Sequence, residues 1–306
     1  VARGDPDAGR DPHARRPSLE GLRVLSTAGH LLDAIKFEHT IFALPFAFIA
    51  MALAAGGWPG WWTIGWVTAA MVGGRTCAMA VNRIVDRAID AENPRTAGRH
   101  LPRGILRVGA MKWLAAGGAA LMFLAAWMLK PLCLALAPLA LVFLVGYSYT
   151  KYVTWTSHWI LGFTDGIAAA GGWIAVRAAF DPPALVLWFT LTVWIAGFDL
   201  IYACQDVDFD RARGLHSVPA RFGVPAALTV ARVNHALTAL ALAVLGWMTG
   251  LGALYWIGWI AVVALLAYEH SLVSPRDLSR LDTAFFNVNG YIAVIVLAAV
   301  AGGLWK

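Results

Sequence analysis

Charge is what this chain has least of. Of its 306 residues only 14 % are Asp, Glu, Lys or Arg, while 59 % are hydrophobic, and the mean hydropathy is +0.65. A soluble domain carries about 25 % charged residues. The deficit excludes an ordinary water-facing surface, and with it a soluble enzyme, a disordered tail or a nucleic-acid module, although the net charge is +6. Cysteine is scarce as well. Cys77, Cys133 and Cys204 are odd in number, form no C-x-x-C pair and sit in or beside apolar stretches, which excludes a disulfide framework and fits small buried hydrophobes. Residues 1–34 hold no apolar run of signal-peptide length. Their Arg, Asp and Pro content predicts disorder over 1–16 and a polar entry segment over 17–36. The first apolar span is then expected to act as the insertion signal, and the chain divides into a polar cytoplasmic segment, 1–34, and a membrane domain, 35–306.

What is abundant is apolar runs. Nine stretches approach spanning length: 35–55, 61–81, 108–129, 131–149, 159–176, 185–204, 226–248, 251–268 and 284–304. Breakers such as Gly56-Gly57-Trp58-Pro59-Gly60, Lys130-Pro131 and Asp181-Pro182-Pro183 separate them. The 15 tryptophans suit interfacial belts, where a ring sits half in the headgroups. With the amino terminus inside, the inner segments carry 20 Lys and Arg and the outer ones three. This positive-inside asymmetry sets the expected orientation in an inner, cytoplasmic membrane and supports an odd number of spans. The fold class expected is therefore all-α integral membrane, with nine transmembrane helices. Two long polar inner loops, 82–107 and 206–225, put the chemistry at the cytoplasmic face.

Those loops begin with carboxylate stripes. At about 100° per residue, Asn82, Asp86 and Asp90 share one helical face within about 80°. Arg75, seven residues earlier, falls on the same stripe at a depth where charge is costly and usually functional. Asp199, Tyr202, Asp206 and Asp210 share a second face, and Asp208 points away from it into solvent. Helix-end acids are commonly solvated or paired with neighbouring arginines, here Arg83, Arg87 and Arg211. Two such stripes on one membrane side, however, suit a pair of hard cations. Mg²⁺ takes oxygen ligands and is often held by one or two carboxylates together with substrate phosphates. Arg95, Arg99 and Lys151 are at hand for a diphosphate's remaining charge, although most loop cations also serve topology and Lys151 fits a snorkelling lysine.

These residues resemble the UbiA superfamily of intramembrane prenyltransferases. Asn82-x-x-x-Asp86-x-x-x-Asp90 matches its first Asp-rich motif. Asp199-x-x-Tyr202-x-x-Gln205-Asp206-x-x-x-Asp210 resembles the second, in the form of the 4-hydroxybenzoate polyprenyltransferase branch. Arg75, Arg95-Thr96, Arg99, Pro102, Gly104, Tyr149 and Lys151 are similar to further family positions. The first motif reads Asn82-Arg83 where many members have Asn-Asp, and Arg99-His100-Leu101-Pro102 is looser than the usual Arg-Pro-Leu. With Lys36-Phe37-Glu38-His39-Thr40, these departures look like the subgroup of the futalosine route to menaquinone.

The resemblance implies a nine-helix bundle around a central cavity, capped on the cytoplasmic side by the two polar loops. It implies transfer of a polyprenyl group from polyprenyl diphosphate to a ring carbon of an aromatic hydroxy-acid in quinone biosynthesis. The acceptor is of the 4-hydroxybenzoate type, with 1,4-dihydroxy-6-naphthoate as the alternative. Mg²⁺ is expected on Asn82, Asp86, Asp90, Asp206 and Asp210. Lys151 and Arg95 would stabilise the leaving diphosphate, Asp199 or Asp206 would take the ring proton, and Arg75 would hold the acceptor's carboxylate. Arg99, Tyr149, Tyr202 and Gln205 complete the expected substrate contacts. Gly162, Gly166, Gly171 and Gly172 either make room for the prenyl tail or let helices pack closely. Asp165 either lines the cavity or pairs with Arg177. The competing class, a secondary transporter, predicts acids near the midplane of several spans, whereas here they gather at two inner ends.

Overall fold

The computed structural model describes residues 29–30 and 43–305. The disorder expected for 1–16, most of the entry segment, the Lys36–Thr40 stretch and the start of the first span, 35–42, lie outside them. The described chain is helical, without a named strand. In order come α1 (Leu44–Ala55), α2 (Trp61–Val85), α3 (Arg87–Glu92), α4 (Val108–Leu129), α5 (Pro131–Thr150), α6 (Ser157–Arg177), α7 (Pro182–Ala203), α8 (Val207–Arg213), α9 (Val218–Phe222), α10 (Val224–Met248), α11 (Ala253–Ser271) and α12 (Asn289–Leu304). A 3-10 turn, Cys204–Asp206, joins α7 to α8, and a π-helical turn, Thr283–Val288, leads into α12. Among the described residues eight helices are long and apolar enough to cross a membrane, and the chain is a multi-pass membrane protein. The first of the nine expected spans is represented by α1, whose 12 described residues are apolar but short.

The helix ends follow local chemistry. Proline opens α5, α7 and α10, where its missing N–H costs nothing. Gly56 closes α1 in the left-handed conformation, φ 64°, its N–H bonded back to Leu53 O. The Trp58, Trp61, Trp62, Trp127, Trp247 and Trp305 rings are exposed and belong to the α1–α2 turn and the carboxyl ends of α4, α10 and α12. Trp62 Nε1 donates to Met128 O at 3.1 Å, tying the start of α2 to the end of α4. These rings form the belt expected at the end of the bundle opposite the polar loops.

Close packing decides the role of three of the four α6 glycines. A Cβ on Gly162 would run into Thr192 of α7, one on Gly166 into Trp188, and one on Gly172 into the Ala47 backbone of α1; only Gly171 faces open space. Three are therefore contact points between helices rather than room for a tail. These contacts matter because α7 carries the second carboxylate stripe. Gly162→Leu is expected to destabilise the fold by about 1–3 kcal/mol through overpacking, read as a lower midpoint of thermal unfolding in detergent. Gly171→Ala serves as the control and is expected to leave that midpoint in place.

Candidate active site

The two inner loops fold over the same end of the bundle and clamp each other. Arg213 Nη2 of the second meets Glu92 Oε2 of the first at 2.7 Å, and His216 N of the second donates to Lys151 O in the α5–α6 connection at 2.7 Å. Beneath them lies a cavity of about 290 Å³, lined by both stripes together with the α5–α6 connection. Ten of the expected residues border it: Asn82, Asp86, Asp90, Arg95, Arg99, Lys151, Asp199, Tyr202, Asp206 and Asp210.

Neither stripe is one unbroken helix. α2 ends at Val85, Asp86 forms the junction and α3 resumes at Arg87; the 3-10 turn interrupts the second stripe at Asp206. Helical register nonetheless survives the first break, because Asp86 N bonds Asn82 O at 2.9 Å and Asp90 N bonds Asp86 O at 2.8 Å. Asp208 is exposed, as its phase requires.

Three acids each hold one cation. Asp86, 3 % exposed, receives Lys151 Nζ at 2.6 Å and Asn82 Nδ2 at 3.0 Å on Oδ2, with the Tyr152 hydroxyl at 3.1 Å on Oδ1. Burial and the Asp86 charge push the Tyr152 phenol above its ordinary range, so it stays a donor. Asp90 is gripped by Arg99 Nη1, 2.7 Å from both carboxylate oxygens. Asp206 binds Arg95 through two parallel bonds, Nε to Oδ1 at 3.1 Å and Nη2 to Oδ2 at 2.6 Å. Arg95 also donates to the Tyr202 hydroxyl at 3.2 Å. Burial works against the Arg95 charge, but the bond to Asp206 and the nearby Tyr202 outweigh it and raise its pKa.

Two further acids meet a hydroxyl and an imidazole. Asp210 Oδ2 accepts from Ser217 Oγ at 2.9 Å, and Asp199 Oδ2 lies 2.7 Å from His158 Nδ1. Among the described residues no three Asp, Glu, His or Cys side chains converge closely enough to form a metal site of protein ligands alone.

Three expected residues fall outside the cavity. Gln205 is exposed and its amide turns back onto Tyr202 O at 3.0 Å; at 100° per residue it stands about 60° outside the face that Asp199, Tyr202, Asp206 and Asp210 share. Tyr149 is half exposed and, unlike its neighbours Ser148 and Thr150, does not line the cavity. Arg75 lies deeper, its Nε buried without a hydrogen-bond partner. It is a charged neighbour of Asp165, and Arg177 pairs instead with Asp181 at 3.3 Å.

Sequence reasoning missed Asn93, Tyr152, His158 and Ser217. Asn93 fixes the Arg95 loop, its Oδ1 accepting from Arg95 N at 2.9 Å while its Nδ2 donates to Asp206 at 3.0 Å. Ser217 had a readable signal, a helix-capping serine two residues before proline; its Oγ accepts from Ala220 N. His158 had none, standing alone at the start of a span.

The model of the UbiA prenyltransferase family matches residues 43–303. The chain is similar to the 4-hydroxybenzoate octaprenyltransferase of Aliivibrio fischeri, 27 % identical over 83 % of this chain and 89 % of that protein. It is also similar to the enzyme of the same name from Cronobacter sakazakii, 30 % identical over 77 % and 82 %. Among solved structures, the apo UbiA homologue of Aeropyrum pernix K1 superposes with a TM-score of 0.79 at 32 % identity, over 86 % of this chain and 97 % of that one. A homologue from Archaeoglobus fulgidus, solved with GPP and Mg²⁺, shares the fold at 17 % identity, with a TM-score of 0.70 over 90 % of this chain and all of that one.

Proposed function

Because the chain belongs to the UbiA prenyltransferase family and is an aromatic prenyltransferase, we propose that it transfers a polyprenyl group from polyprenyl diphosphate to a ring carbon of 4-hydroxybenzoate, in quinone biosynthesis. The observation that carries this reading is the convergence of five acids, two amides and four cations on one cavity at the inner end of an apolar bundle. We place that end at the cytoplasmic face of the inner membrane, where the sequence concentrates Lys and Arg.

The donor set fits Mg²⁺, being all oxygen: Asn82, Asp86, Asp90, Asp206 and Asp210. A hard cation of this kind takes part of its coordination from substrate phosphates. When bound, Mg²⁺ would neutralise the diphosphate as the allylic C1–O bond breaks. Lys151, Arg95 and Arg99 already sit on the acids that would hold it, within reach of the same oxygens. An acid that held the metal would release its cation to the departing diphosphate. The apolar bundle receives the prenyl tail and keeps water from the allylic cation. The ring carbon beside the phenol attacks C1, and Asp199 takes the ring proton.

Arg75 is the residue we assign to the acceptor's carboxylate, through a two-bond pair that its buried, unpartnered Nε favours. Arg75→Ala is expected to raise KM for the aromatic acid by about 100-fold, the cost of a charge-assisted bidentate contact. KM for the prenyl diphosphate is expected to stay within about twofold, as steady-state rates with each substrate varied would show.

The reading is tested with the purified chain in lipid, given farnesyl diphosphate, Mg²⁺ and either 4-hydroxybenzoate or 1,4-dihydroxy-6-naphthoate, with products weighed by mass spectrometry. A C-prenylated benzoate is the expected result. Prenylated naphthoate alone would keep the reaction and move it to menaquinone biosynthesis. No product from either, with longer donors included, would overturn the assignment.

A further inference from the structure

Removing the ring proton requires a base with one oxygen left free, and the surroundings of Asp199 supply that form. Its side chain, 25 % exposed, borders the cavity. Oδ2 is engaged by His158 Nδ1 at 2.7 Å, while Oδ1 has no hydrogen-bond partner among the described residues. His158 itself is 3 % exposed. Its Nε2 lies 3.2 Å from the backbone N–H of Val218, a group that can only donate. A ring nitrogen that accepts a hydrogen bond carries no proton, so the imidazole is neutral and its one N–H is on Nδ1, directed at Asp199.

We propose that His158 is a positioning residue for Asp199: a buried imidazole, locked by Val218 as the Nδ1–H tautomer, that holds Oδ2 and leaves Oδ1 to receive the acceptor's ring proton. The proposal rests on the prenyl-transfer reading of the cavity. In the step it serves, the C1–O bond has broken with its electron pair on the diphosphate. Ring π electrons form the new C–C bond to C1, the ring proton passes to Asp199 Oδ1, and the C–H electrons restore the aromatic ring. His158 cannot pass that proton onward, because its far nitrogen is occupied by an N–H donor; the proton leaves from Asp199 by way of the cavity.

The same contact couples the base to the cap. Val218 follows Ser217, whose hydroxyl bonds Asp210 at 2.9 Å, so the second loop fixes Asp199 and Asp210 through adjacent residues.

The test uses the full chain in lipid with His158→Phe, which removes both bonds, and His158→Gln, which keeps a donor and an acceptor without a titrating ring. His158→Phe is expected to lower kcat by about 100-fold, the scale of a mispositioned group, with KM for the prenyl diphosphate within about twofold. His158→Gln is expected to recover activity to within about 10-fold of the parent. Parental turnover in His158→Phe, failure of Gln to exceed Phe, or a parallel rise in both substrates' KM would overturn the role. Independently of turnover, ¹⁵N spectra of histidine-labelled protein are expected to show a neutral Nδ1–H imidazole that disappears in His158→Gln. An Nε2–H or doubly protonated ring there would overturn the proposal. Absence of product from the parent chain would instead count against the prenyl-transfer reading, with the tautomer still deciding the geometry.

Discussion

Asp86→Asn is expected to lower prenyl transfer by about 1,000-fold, the upper end of what removing one group that stabilises transition-state charge costs. Asp86 is buried and receives three donors: Lys151, Tyr152 and the Asn82 amide. An asparagine there keeps one acceptor oxygen and turns an N–H₂ group toward donors, so it cannot satisfy the same partners. It also removes the charge that would hold Mg²⁺ and leaves Lys151 without its counter-ion. The orphaned bonds are expected to cost about 1–3 kcal/mol of stability, so thermal unfolding in detergent must accompany the kinetics to separate lost chemistry from lost fold. Unchanged turnover with an unchanged dependence on Mg²⁺ would remove the first stripe from the mechanism.

Asp206→Asn is expected to cost about the same, 100- to 1,000-fold, by a different local route. Asp206 anchors Arg95 through two bonds and meets the Asn93 amide, so its loss frees the Arg95 loop from the second stripe as well as removing an acid. The Asp86→Asn, Asp206→Asn double variant is expected to be barely worse than either single one, because groups that act as a unit on one diphosphate do not add. Rates for the four members of the cycle check this. Multiplying effects would mean that the two stripes serve separate steps.

Much of this was legible because helical period is a local property. Asn82, Asp86 and Asp90 could be aligned, and Asp208 set aside, by counting residues, and the break between α2 and α3 did not spoil that phase. What stayed hidden is non-local or depends on small rotations. Lys151 meets Asp86 and Arg95 meets Asp206 across large sequence separations, 111 residues in the second case, and no spacing rule assigns one loop cation to one acid. Gln205, expected from the family motif alone, is exposed and bonds back to Tyr202 O, in keeping with its phase outside the stripe. The α6 glycines read equally well as room or as contact until the position of α7 was known. His158 shows the same limit most clearly: its partners are Asp199 on α7 and Val218 beyond the second loop, and only the fold brings the three together.

The central claim is that one cavity uses its acids and cations to break an allylic diphosphate and join the prenyl group to an aromatic ring. It is tested most directly by counting both products of a single turnover in lipid, with inorganic diphosphate and C-prenylated acid measured in the same sample. The account predicts one diphosphate per prenylated acid, with both lost on adding EDTA and both lost in Asp86→Asn. Prenylated acid that persists through either treatment, or diphosphate released without any prenylated acid, would contradict it.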